Sequence, residues 1–195
     1  MRTIGIGHNS QDDATRRGRI RRWQQAKAGL KGPALSQTQL RMRMRRAEEL
    51  GLSYRQYNAL VLASGRDPRA LVFTPGGMGL RLERRLRLPD VEREKLARLR
   101  NCHLLAIAPE AEAAQDFLEE LRDVSALPFA GAIASPALDA GWGAVRAAFK
   151  PALTGLSLSG DALAMIGSAN SHEPGWAAAI RAGFLPGEVF FERAA

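Results

Sequence analysis

Nine residues in the C-terminal part of the chain, GSANSHEPG (167–175), gather side chains suited to holding an anion or moving a proton. Ser168 and Ser171 bring hydroxyls, Asn170 an amide and His172 an imidazole, between an apolar run and a helix-like segment. A loop placed there presents free backbone amides at a helix N-terminus, which favours phosphate or carboxylate. A Ser/His pair also suggests nucleophilic chemistry, but the imidazole then needs an orienting acid, and only Glu173 is adjacent. The loop contains no Lys, so it is not a P-loop. His8 and His103 are isolated, and Cys102 and His103, as neighbours on a strand, point to opposite faces. One Cys and three scattered His do not make a zinc site. The expectation is weak anion binding at Ser168, Asn170, Ser171 and His172, without a catalytic residue, metal or cofactor.

A second group is suited to nucleic acid. Ser53, Tyr54 and Arg55, with Asn58 one turn later, would form the exposed start of a helix. Arg pairs twice with guanine and Asn with adenine, while Ser and Tyr hold phosphates. Around them lie Arg43, Arg46 and Arg66, and upstream the cluster Arg16, Arg17, Arg19, Arg21 and Arg22. An arm of this kind follows a phosphate backbone or enters a minor groove. Trp23, Tyr54 and Tyr57 are few aromatics for stacking unpaired bases, so duplex DNA is favoured over RNA.

These residues must be positioned by helices. Gln37–Leu50 repeats Leu40, Met44 and Ala47 at helical spacing, Gly51 stops it, and Ser53 caps a helix running to about Ser64. Ala47 is small enough for close helix approach, Gly51 accepts a left-handed turn, and Tyr57 and Leu60 face inward. The stretch RRAEELGLSYRQYNAL therefore resembles the helix-turn-helix of bacterial and phage regulators, although Arg46 stands where that family has an apolar residue. The IGHNS peptide near the N-terminus is similar to short N-terminal peptides of phage- and plasmid-related proteins. Together these resemblances imply transcription control or phage-related regulation. The alternative of a plain helical hairpin stays open.

Downstream, Asp67-Pro68 offers an N-cap and first-turn proline for a short helix, 68–73. TPGGMG breaks the chain, and LRLERRLRL fits a short strand or a basic helix equally. LPDVEREKLARLRN is a helix with Val91, Leu96 and Leu99 inward. Then strands alternate with helices: CHLLAIAP, LPFAGAIASP, DALAMIGS and EVFFER as strands, EAEAAQDFLEELRDVS, LDAGWGAVRAAFK and EPGWAAAIRAGF as helices. Phe129, Trp142, Phe149 and Trp176 are expected in the core. The expected fold class is α+β / α/β: a basic arm (1–36), a helix-turn-helix region (37–88), then a small three-layer α/β domain (89–195) with a mostly parallel sheet of three or four strands.

Phe149–Phe184 is similar to the later part of haloacid-dehalogenase-type phosphatases, through Lys150-Pro151, Gly167 and Ala182-Gly183. The family's acids are missing: Ser168 and His172 stand in for them, and Ala108 ends the strand expected to carry the nucleophile. Without carboxylates, magnesium binding and a phosphoenzyme are excluded, so the resemblance implies architecture alone.

The 195 residues carry a net charge of +8, unevenly placed. Residues 1–100 hold 23 Lys/Arg and 9 Asp/Glu, a net of +14; residues 101–195 hold 5 and 11, a net of −6. A basic half suggests a polyanionic partner, here double-stranded DNA; the acidic half suits a protein partner or a homodimer. A single cysteine precludes an internal disulfide and fits a reducing compartment. No apolar run approaches the ~18–20 residues of a membrane span, and the N-terminus lacks a signal-peptide core, so the cytoplasm is expected. A hydrolase-like enzyme with a basic targeting region, and an RNA-binding factor, are the competing functions.

Overall fold

The computed structural model describes residues 35–82, 86–110 and 112–193. The chain divides into two units, Met1–Arg41 and Met42–Ala195. Helix α1 (Gln37–Glu49) begins with a reciprocal cap, in which Ser36 N–H donates to Gln39 Oε1 and Gln39 N–H to Ser36 Oγ. Gly51 takes φ 63°, the left-handed turn expected of it, and α2 (Tyr54–Ser64) starts with a second capping box between Ser53 and Gln56. Ala47, Leu50, Leu52, Tyr57 and Leu60 are buried as anticipated, but Leu40 and Met44 are exposed. The inward face of α1 between residues 43 and 50 instead carries the half-buried Arg46.

Strand β1 (Ala70–Phe73) occupies the segment read as a helix. Asp67 does not cap one: its carboxylate accepts from Arg46 Nε (2.9 Å) and Tyr57 OH (2.9 Å), and Pro68 O accepts from Arg46 Nη2. Four consecutive buried residues, ALVF, are the signature of a strand covered on both faces. A short helix α3 (Pro75–Met78) follows. Strands β2 (Arg81–Leu82) and β3 (Leu86–Arg87) form a two-stranded antiparallel ribbon, and α4 (Asp90–Ala97) leads out of it. Leu96 of α4 is buried, but Val91 is exposed rather than inward.

The expected alternation then appears: β4 (His103–Ile107), α5 (Ala114–Ser125), β5 (Phe129–Ile133), α6 (Trp142–Gly155), β6 (Leu163–Gly167), α7 (Glu173–Ile180) and β7 (Gly183–Pro186). The segment EVFFER is not a strand. It contains a short helix, α8 (Gly187–Phe190), because Pro186 ends β7 and Phe190 turns in to meet Phe73 edge-on at 5.6 Å.

All five main strands are parallel, in the order β5-β4-β1-β6-β7. The chain winds outward from β1 through β4 to β5, then crosses back to β6 on the other side of β1. The sheet is therefore larger than the expected three or four strands, and its central strand comes from the region assigned to the helix-turn-helix. Leu71 and Phe73 face a core shared with α1 residues Ala47 and Leu50, with α2 and with α5. Ala70 and Val72 face a second core built on Val145 and Phe149 of α6 and Trp176 of α7. Three layers result, an α/β fold of the class expected. Trp142, anticipated in the core, is exposed at the start of α6. Among the described residues, no helix is long and apolar enough to cross a membrane.

Candidate functional site

In an open parallel sheet, ligands bind beyond the carboxyl ends of the strands where the winding direction reverses. Here that point lies between β1 and β6, beside the predicted anion loop. Its polar groups are bonded to one another. Glu173, first residue of α7, accepts at Oε2 from Thr74 Oγ1 (2.9 Å) and from Ser168 N–H (2.5 Å). Thr74 in turn accepts from Gly77 N–H at 2.9 Å and is fully buried. Ser171 Oγ donates to Ser168 O and accepts from Glu173 N–H.

The loop's first amide, Ser168 N–H, is thus already engaged by the protein's own Glu173 side chain. Of the four residues expected to bind an anion, Ser171 and the backbone of Ser168 are committed to this internal network, while the Ser168 hydroxyl makes no hydrogen bond among the described residues. Asn170 and His172 are exposed beside it, and the His172 side chain makes no cap hydrogen bond. Glu173 also does not orient a Ser/His pair, since the oxygen that bonds goes to Thr74 and Ser168. The sequence pointed to Glu173 only as a neighbour of His172, and missed Thr74 because β1 was read as a helix. Backbone packing closes the rest. A Cβ on Gly77 would lie 2.3 Å from Ile166 O, and one on Gly187 would lie 2.2 Å from Gly77 O.

Ala108 follows β4 and is buried, so it does not end the first strand of the sheet. That strand is β1, and Thr74 follows it, again without a carboxylate. Lys150 is exposed on α6, with Pro151 inside the same helix, and lines a groove at the opposite, amino edge of the sheet. Among the described residues, no group of three His, Cys, Asp or Glu side chains is placed to hold a metal. Burial pushes the half-buried Cys102 thiol up to about 11, against a nucleophilic role.

The nucleic-acid residues separate into two kinds. Arg46 is held by Asp67, Glu49 and Pro68 O, with only 16% of its side chain exposed. Burial alone lowers its pKa, and the two carboxylates more than offset this, leaving it raised. Arg46 therefore clamps α1 to the segment before β1. Its guanidinium is thereby occupied within the fold, at the position where the sequence pattern called for an apolar side chain. Arg43 Nη1 donates to Asn58 Oδ1 at 3.3 Å, so each partly occupies the other. Ser53 caps α2, and Gln56 reaches Val189 O at 3.1 Å. Arg66 bonds Ser159 and pairs with Asp161 at 3.5 Å while staying 62% exposed. Arg55 is exposed and Tyr54 half-buried. Arg16, Arg17, Arg19, Arg21 and Arg22 lie outside the described residues.

The fold and the two candidate regions define a doubly wound parallel α/β protein with a basic helical pair on one face. Comparison with protein-family models, with curated proteins and with solved structures finds no match to this chain.

Proposed function

We propose that this protein binds duplex DNA through its basic half and acts as a regulator, with an α/β part that senses or docks rather than catalyses. The supporting observation is the segregation of charge, +14 over residues 1–100 against −6 over the remainder. The exposed Arg55 extends this basic character onto the α1–α2 face. With Arg46 and Asn58 engaged in the fold, the contacts are mainly to phosphates, and base reading rests on Arg55. A phage-related role, a cytoplasmic location and pairing with a protein partner or second copy complete the proposal.

The test uses the full-length chain, since a fragment ending near residue 100 would carry β1 without the strands that flank it. Titration with duplex DNA, single-stranded DNA and structured RNA over a salt series should show duplex bound most tightly. Arg55→Ala should reduce the salt slope by about one. Arg46→Ala should lower the melting temperature and leave that slope alone. Tighter binding of RNA, or affinity indifferent to salt, would remove the proposal.

A further inference from the structure

The acidic half, residues 101–195, contains five Lys/Arg side chains. Two are committed to the fold: Arg122 donates to Phe129 O, and Arg193 donates to Gly77 O and pairs with Glu92 at 3.3 Å. The other three, Arg146, Lys150 and Arg181, all line one groove of about 880 Å³ that runs along α6 from Gly143 to Ser157 and meets the C-terminus of α7 at the amino edge of the sheet. None of the three makes an ion pair or side-chain hydrogen bond among the described residues; the Asp161 carboxylate, already paired with Arg66, also feels Arg181, but no carboxylate lines the groove itself. The cleft beside α1 and α4 differs. There Arg45, Lys95 and Arg98 face Glu49, Glu192 and Glu94 and are neutralised in pairs.

Like charges gathered on a net-negative half repel one another unless something negative lies between them. The backbone adds a second observation. Arg181 and Ser157, both lining the groove, sit at φ 62° and 53°, the left-handed region. Arg181 caps the C-terminus of α7, where glycine is the residue without steric cost. The groove also has an apolar part, with the half-buried Leu153 and the buried Ile180 beside the cations. Its volume falls within the ~300–1,000 Å³ of small-molecule sites.

We propose that this groove binds a small organic phosphate, its dianionic head between Arg146, Lys150 and Arg181 and its carbon part against Leu153 and Ile180. Three cations exceed what a monocarboxylate neutralises. A duplex held on the α1–α2 face would lie across the sheet from this groove.

Calorimetric titration of the full-length protein with inorganic phosphate, phenyl phosphate and benzoate tests the assignment. Phenyl phosphate should bind more tightly than phosphate, and benzoate least. Lys150→Ala and Arg181→Gly should each weaken phenyl phosphate about tenfold, the loss of one charge-assisted contact. Arg181→Gly should keep or raise the melting temperature, which separates lost binding from lost folding, and should leave duplex DNA affinity unchanged. No saturable binding of phenyl phosphate, equal binding of benzoate, indifference to Arg181→Gly, or a parallel fall in DNA affinity would each overturn the proposal.

Discussion

The two edges of the parallel sheet use polar residues in opposite ways. At the carboxyl edge, Thr74, Ser171, Glu173 and the Ser168 backbone satisfy one another, with Asn170 and His172 exposed beside them, and Gly77 is packed against the backbone of β6. Along α6 to the amino edge, Arg146, Lys150 and Arg181 line an open groove with no ion pair or side-chain hydrogen bond among the described residues. Residue type alone favours the first edge, with its Ser/His loop and glycines. Hydrogen-bond accounting favours the second. A side chain available to a ligand is one the fold has left unsatisfied, and sequence does not show satisfaction directly.

The sharpest way to break this contrast is to add a methyl group at each edge. Gly77→Ala forces a Cβ to within 2.3 Å of Ile166 O, where the obstacle is backbone. We expect a loss of ~3 kcal/mol or more, a fall in melting temperature of roughly 6–12 °C. Gly155→Ala, in the last turn of α6 at the amino edge, meets nothing within 4 Å and should be neutral or stabilising by up to about 1 kcal/mol. Equal effects in thermal unfolding would mean that the carboxyl edge is not closed.

A smaller effect is expected from the carboxylate that fills the loop. Glu173→Ala leaves Ser168 N–H and Thr74 Oγ1 without their acceptor, at a cost of ~1–3 kcal/mol in urea unfolding. Lys150→Ala, which breaks no contact among the described residues, should stay within about 0.5 kcal/mol. Combining Glu173→Ala with Thr74→Val should cost less than the sum of the two single changes, because both remove the same bond. Strict additivity would show that Glu173 and Thr74 act independently.

Much of this was legible in the sequence, for reasons tied to particular residues. The alternation from His103 to Ile180 announces parallel strands and crossover helices, since each strand there is an apolar run and each helix has a clear stripe. Ala47, Gly51 and Leu60 likewise mark the α1–α2 turn. What stayed hidden depended on long-range pairing. ALVF is too short to distinguish strand from helix by period, and Asp67-Pro68 imitates a helix start until Arg46, 21 positions away, is seen to hold Asp67. The loop at 167–175 showed its donors but not that Glu173 would accept from one of them, Ser168 N–H.

The smallest expected effect concerns pH, at the part of the amino edge that is not open. Burial, then the bond to Asp67, pushes the Tyr57 hydroxyl up to about 12 from an ordinary 10.0. The folded state therefore favours the protonated phenol. That stabilisation is complete below about pH 10 and is lost as pH rises from about 10 towards 12. Denaturation of wild type and Tyr57→Phe should converge across this window, the wild type losing its advantage as the phenol ionises. A constant difference through pH 11 would mean that neither burial nor the bond to Asp67 favours the protonated Tyr57 hydroxyl.

The position of β1 also sets a timetable for synthesis. Ala70 pairs with His103 on one side and with Leu163 on the other, so the ribosome makes the centre of the sheet long before one of its flanks. At roughly 5–20 residues per second, the interval of about 90 residues leaves one edge of an all-apolar strand unmatched for ~5–20 s. An open strand edge is a template for pairing with other chains, and here two nascent copies on one message would present the same edge. Chains stalled before residue 163 should therefore depend on chaperones far more than the finished protein does, although they already carry the whole basic half.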